Sequence, residues 1–182
     1  MKMEATQTFS GIAYDPGFFQ EKMGQARKWL VQNGEQFGPE RMSDPCQIDL
    51  RMLVHDGVLY PEEWSCMSFC MDEDTDPEEL RQDQDILLTM AYERSNIAQD
   101  PRFQQFLQEN QSWLEEYSLF LALDRFFCGI HWQNWPEDIR WRYGYALDHY
   151  RRELYFDREY QMYLQFLCAR QHALTGMGTD LE

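Results

Sequence analysis

The chain has 182 residues, enough for one domain with a substantial core, and its 43% hydrophobic and 15% aromatic content exclude a disordered polypeptide. Lysine and arginine total 16 against 32 acidic residues, and the resulting charge of −16 disfavours phosphate backbones and anionic membranes as partners. No apolar run reaches the ~18 residues of a membrane span, and MKMEATQTFSG lacks the basic-then-apolar pattern of a signal peptide. A cytoplasmic location with free thiols at the five cysteines is therefore expected.

Residues 1–14 are polar and aperiodic and read as a loose tail. Asp15-Pro16 has the form of an N-cap followed by a first-turn proline. Phe19, Met23, Ala26 and Leu30 then share one helical face, with Asn33-Gly34 as the stop. EQFGPERMSDP is a connector. A short helix is predicted from Ile48-Asp49-Leu50 to Asp56-Gly57, with Asp49 as its cap, and a further turn at Pro61–Trp64. SCMSFCMDEDTD reads as a loop.

Thr75 or Asp76 caps a helix beginning at Pro77, with Glu78 and Glu79 in its first turn and Leu80, Leu87, Met90 and Ala91 as its stripe. Asp100-Pro101 repeats the device ahead of Phe103, Phe106 and Leu107. A separate, very apolar helix is predicted from Ser112 to about Cys128, with Glu115, Ser118, Ala122 and Arg125 on its narrow polar side and Gly129 as its stop. Pro136 opens a short helix, and a long one is predicted from about Tyr145 to Leu174. No alternating strand or fixed-period repeat is present. The expected fold is all-α, an irregular bundle of about seven helices, with residues 15–174 as one helical domain and 175–182 as a C-terminal tail.

Few residue clusters suggest chemistry. Asp72, Asp74 and Asp76 occupy the first, third and fifth places of a calcium-loop register, but Pro77 stands where the loop needs its sharp turn, so helix capping is the better reading. Cys66 and Cys70 lack a second ligand pair, and His55, His131, His149 and His172 are scattered. No metal, and with no phosphate-binding glycine loop no nucleotide cofactor, is expected. The doublets Glu115-Glu116 and Glu137-Asp138 point ~100° apart on a helix. They therefore cannot supply the two facing carboxyls, ~5 Å apart, of retaining glycosyl transfer, and a solvated helix face is expected for them. Asp124 falls inside the apolar arc of its helix, where an acid needs a partner; an arginine such as Arg140, Arg142 or Arg151 is expected to provide it, the alternative being that the helix end lies at the surface. Trp132, Trp135 and Trp141 in HWQNWPEDIRWR suggest either a platform for sugar rings or the apolar corner between two helices.

WLEEYSLFLAL (113–123), a short glycine loop, HWQNWPEDIRWR, and a long helix carrying Gln165, Phe166, Leu167, Arg170 and Gln171 occur in an order that resembles the 4-alpha-glucanotransferases, or amylomaltases. DPCQIDLRMLVHDGVL (44–59) is similar to that family's Asn-Pro segment, and the resemblance covers about residues 44–172. It implies a relation to a (β/α)8-barrel enzyme that moves α-1,4-glucan segments between acceptors by retaining double displacement without a cofactor. The matched region corresponds to the helical insertion, without the barrel. The family's catalytic motifs lie downstream of it, and Asp148-His149, which sits in a helical stretch with Arg152 four residues after Asp148, is not the nucleophile pair. The family usually carries lysine at the place of Asp124.

The resemblance thus implies a fragment or degenerate relative, with no catalytic residue of its own and inactive alone. The other readings are a glucan-binding module, in which Trp132, Trp135 and Tyr117 contact a maltodextrin, and an interaction module that self-associates through an exposed apolar face. Large aromatics at helical spacing usually build core, and that reading is preferred for all three.

Overall fold

The computed structural model describes residues 16–32, 42–66 and 77–176. The expected N-terminal tail, the Asp15 cap, the Asn33-Gly34 stop, the acidic stretch 72–76 with the Thr75 or Asp76 cap, Cys70, and residues 177–182 lie outside them. Among the described residues all regular structure is helical, in eight α-helices. These are α1 (Pro16–Val31), α2 (Leu50–His55), α3 (Pro61–Cys66), α4 (Pro77–Ser95), α5 (Pro101–Phe126), α6 (Glu137–Arg140), α7 (Gly144–Glu153) and α8 (Tyr155–Gly176). Short 3-10 turns occupy Pro45–Gln47, Ile97–Gln99 and Trp132–Asn134.

Aspartate caps set several starts, at Asp49 and Asp100 as the sequence suggests and also at Asp44. Asp44 accepts from the Cys46 N–H, Asp49 from Arg51 and Asp100 from Arg102, at 2.9, 3.0 and 2.8 Å. Each satisfies one of the donors a helix start leaves without an internal partner. Gly129 ends the turn after α5 with a positive φ, and Cys128 before it is left-handed too. The Gly129 N–H reaches back to the Asp124 carbonyl at 2.8 Å, closing the helix end.

Two boundaries differ from expectation. The helices foreseen at Pro101 and Ser112 are one helix, α5. Asn110 does not break it: its amide donates to the Phe106 carbonyl one turn back and accepts from the Trp113 indole. The long helix foreseen from Tyr145 is two, divided at Leu154. The division falls where the early stripe of Leu147, Tyr150 and Leu154 gives way to the later one of Tyr160, Tyr163, Leu164 and Leu167. A straight helix cannot aim both stripes inward, and at Leu154 the chain reorients while the leucine stays buried. The Arg158 guanidinium donates to the Arg151 carbonyl across this junction.

The core runs from Met23 in α1 to Cys168 in α8. α5 is its axis and packs most extensively on α8, with further contacts to α1 and α7. Its expected polar side is narrower than foreseen, because Ser118 and Ala122 are buried and the Ser118 hydroxyl bonds back to the Glu115 carbonyl. Phe166 of α8 meets Phe103 edge-on at 5.4 Å and Phe106 at 5.6 Å. On the next flank Tyr92 of α4 lies 5.5 Å from Tyr160 and 5.6 Å from Tyr163. Cys46, Cys128 and Cys168 are free thiols. Burial and the nearby Asp44 push both the Cys46 and the Cys168 thiol up to about 12, so neither is a thiolate near neutral pH.

The irregular segment before α2 has few backbone partners of its own, and glutamines supply them. Gln165 accepts from the Ser43 N–H at 3.0 Å and donates to the Ser43 carbonyl at 2.8 Å. Gln171 accepts from the Asp49 N–H at 2.7 Å and donates to the Gln47 carbonyl at 2.8 Å. From α4, the Gln84 amide faces the carbonyls of Cys46 and Ile48 at 3.3 Å each. Arg170 adds an ion pair to Asp56 at the end of α2. Two of the residues that carry the family resemblance in α8, Gln165 and Gln171, therefore hold one strap of chain in place, and a third, Arg170, fastens the end of α2. Gln165→Ala leaves the Ser43 N–H and carbonyl without these partners and should lower the unfolding free energy by about 2 kcal/mol, measured by urea denaturation.

Candidate functional site

The turn Trp132–Asn134, Pro136 and the short α6 carry the tryptophan-rich stretch across the end of α5. Trp135 is 3% exposed. Its indole N–H donates to the Ile130 carbonyl at 2.8 Å, and its ring lies 5.3 to 5.7 Å from those of Phe127, Phe120 and Trp29. It is the packing wedge of the corner. Trp132 is 8% exposed, with His131 stacked beside it at 5.8 Å. Tyr117 is wholly buried on α5, its ring beside Trp113 at 6.1 Å, and burial drives its phenol pKa far upward. All three residues named in the sequence as possible glucan contacts are thus in the core of this chain. Trp141, by contrast, is 51% exposed.

Trp29 completes the corner and lies outside the tryptophan-rich stretch that the sequence singles out. Its indole N–H donates to the Ile139 carbonyl in α6 at 3.2 Å. Its ring packs on Phe120 and Trp135, and the Arg142 guanidinium lies 4.4 Å above it. The signal was present: Trp29 stands three residues after Ala26, on the face that already holds Met23 and Leu30. Arg142 is buried with a left-handed backbone, φ 57°. That conformation is uncommon outside glycine, and here the surroundings of the side chain hold it.

The charges at this corner have assigned partners. Glu116 receives Arg142 at 2.7 Å on one oxygen and Arg151 at 2.5 Å on the other. Glu115 pairs with Arg158 at 2.5 Å. The expected solvated face is corrected for this doublet: Glu116 turns inward, its side chain 18% exposed, because two guanidiniums wait for it there. Asp124 is also paired, but with Lys22 of α1 at 2.8 Å and not with the arginines expected. Arg142 and Arg151 serve Glu116 instead, and Arg140 donates to the Gln133 carbonyl. Asp148 is exposed; Arg151 lies 3.5 Å from its carboxylate, and Arg152 donates to its main-chain carbonyl. Among the described residues no group of three or more histidine, cysteine or acidic side chains converges in a way that would hold a metal ion.

Burial alone would raise the Glu116 carboxyl, but the hydrogen bonds and charge of Arg142, and then Arg151, outweigh it and hold the carboxyl below its ordinary range. Because the folded value is the lower one, this group stabilises the protein above the unfolded glutamate pKa of about 4.3, and the contribution fades as pH falls through the folded value. Glu116→Gln should destabilise the chain by about 3 kcal/mol at pH 7, since it leaves two arginines without their carboxylate. The gap between wild type and variant should shrink from about pH 5 downward, read by urea unfolding at several pH values.

Comparison with known proteins identifies relatives of this sequence. The sequence profile of 4-alpha-glucanotransferases matches residues 40–176. A 4-alpha-glucanotransferase of Clostridium butyricum is 29% identical over 168 residues, covering 87% of this chain and 34% of the relative. One from Streptococcus pneumoniae is 32% identical over 127 residues, covering 68% and 25%. One from Synechocystis is 38% identical over 80 residues, covering 43% and 16%. The chain spans about a third or less of the length of these relatives. With a match that takes in the strapped segment, the aromatic corner and α8, the chain belongs to the 4-alpha-glucanotransferase family.

Proposed function

We propose that this chain is the helical insertion region of a 4-alpha-glucanotransferase, and that it performs no glycosyl transfer by itself. The family moves α-1,4-glucan segments between maltodextrins, so α-glucans are the substrate class to which the region contributes. The observation that carries this reading is the state of the inward-turned carboxylates. Retaining transfer needs a nucleophile and a general acid facing each other across the sugar, the acid protonated near neutral pH. Glu116 is instead clamped by two guanidiniums and held in its charged form, and Asp124 is tied to Lys22. Both are occupied in joining helices.

The burial of Trp132, Trp135 and Tyr117 supports a packing role for them, with Trp132 the most open of the three. The common core from α1 to α8 supports residues 15–174 as one helical unit. None of the described helices is long and apolar enough to cross a membrane, which is compatible with a cytoplasmic location.

Maltotriose tests the proposal directly. The pure 182-residue chain, incubated with it, should release no glucose and form no maltotetraose or longer products by chromatography. Production of glucose together with longer maltodextrins would overturn the reading.

A further inference from the structure

The corner that buries two of its tryptophans presents three aromatic rings outward a few residues later. Trp141, Tyr143 and Tyr145 are 51%, 46% and 66% exposed. They alternate with Arg142, which turns inward. Because the backbone at Arg142 is left-handed and its guanidinium is fixed between Trp29 and Glu116, the residues on either side are committed to the outer surface. The turn is rigid: the N–H groups of Trp141, Arg142 and Tyr143 donate to the carbonyls of Glu137, Ile139 and Asp138 at 3.0, 3.1 and 2.9 Å.

The Tyr143 and Tyr145 rings lie 6.0 Å apart at 47°, and the Arg140 guanidinium lies 5.6 Å from the Trp141 ring. Glu137 and Asp138 stand in the first turn of α6, a few residues before Trp141.

We propose that Trp141, Tyr143 and Tyr145 form a binding platform for an α-1,4-glucan chain. The choice of ligand rests on the family reading above; the place rests on the geometry. Sugar rings offer C–H faces that stack on exposed aromatic rings, and hydroxyls that donate to carboxylates and phenols. The segment 137–145 carries both, the exposed rings of Trp141 and the two tyrosines and the acceptors Glu137 and Asp138. The acidic rim suits a neutral, hydroxyl-rich ligand and repels polyanions. Because the turn is already held by Arg142, binding requires little further ordering of the chain. The platform is separate from Trp132, Trp135 and Tyr117, whose rings face the core.

The test uses the full 182-residue chain in native gels containing soluble starch, with dextran gels as the control linkage, and maltoheptaose as the soluble probe. Starch should retard the wild-type chain and dextran should not. Trp141→Ala, and separately Tyr143→Ala with Tyr145→Ala, should weaken binding about fivefold or more, while Trp141→Phe retains most of it. The exposed side chains should leave the circular dichroism spectrum and melting temperature unchanged. On the wild-type protein alone, maltoheptaose should protect Trp141 from oxidation by N-bromosuccinimide, followed by peptide mass mapping. Retardation by starch that the variants leave intact, or a Trp141 equally oxidised with and without sugar in a retarded protein, would overturn the platform and spare the glucan reading. No retardation by starch and no protection by maltoheptaose at millimolar concentration would overturn both glucan binding by this chain and the platform.

Discussion

The inward turn of Arg142 is the constraint on which this helical arrangement most depends. One guanidinium lies over the Trp29 ring of α1 and reaches Glu116 of α5, while its own backbone forms the link between α6 and α7. A planar cation suits this position, since it can stack on an indole and donate to a carboxylate at once. Lysine at the same place would present a point charge with neither the stacking face nor the fork. The left-handed backbone costs of order 1–3 kcal/mol, so the contacts around the side chain must outweigh it. Everything on the outer side of this turn, including the direction of its aromatic rings, follows from where that one side chain goes.

Around this fixed point, apolar packing and polar fastening are divided between the two ends of the bundle. α5 supplies the continuous apolar axis, and α8 lies along it through Phe166 against Phe103 and Phe106. At the tryptophan-rich end, helices are joined by charges: Glu116, Asp124 and Glu115 each receive a cation from another helix. At the α2 end, the irregular strap from Ser43 to Asp49 is joined by neutral amides, with the Arg170–Asp56 ion pair beside it. The division explains how an acidic chain of net charge −16 tolerates carboxylates turned inward. The inward acids Glu116 and Asp124 meet cations, the buried Asp44 accepts from the Cys46 N–H, and acids left in solvent repel one another weakly.

Much of this could be read from the sequence because local rules act locally. Asp-Pro pairs mark helix starts since cap and proline geometry need only adjacent residues, and the starts at Pro77 and Pro101 fall where that rule puts them. The all-α class follows from the missing alternation. What the sequence did not reveal was pairing over distance. Lys22 and Asp124 are 102 positions apart, and no periodicity relates them. Glu116 seemed a solvated acid because its inward direction is decided by Arg142, whose own direction depends on a single φ angle. The Leu154 break coincides with a change of stripe, but no proline or glycine marks it in the sequence. In the tryptophan-rich stretch, composition alone raised the idea of a sugar platform without saying which rings point outward; burial separates Trp132 and Trp135 from Trp141.

The glutamine-held strap has a further implication for how the molecule comes apart. Amide groups neither titrate nor attract counterions, so Gln84, Gln165 and Gln171 grip the segment before α2 with a strength that acid and salt barely alter. The opposite end relies on Glu116 and its arginines, a fastening that protonation undoes. Acidification therefore acts unevenly along the bundle, loosening the α6–α7 corner while the glutamine-held strap stays clasped to α8. The partly opened form would keep its long helix pair and free the aromatic corner, giving this all-helical chain a built-in order of disassembly.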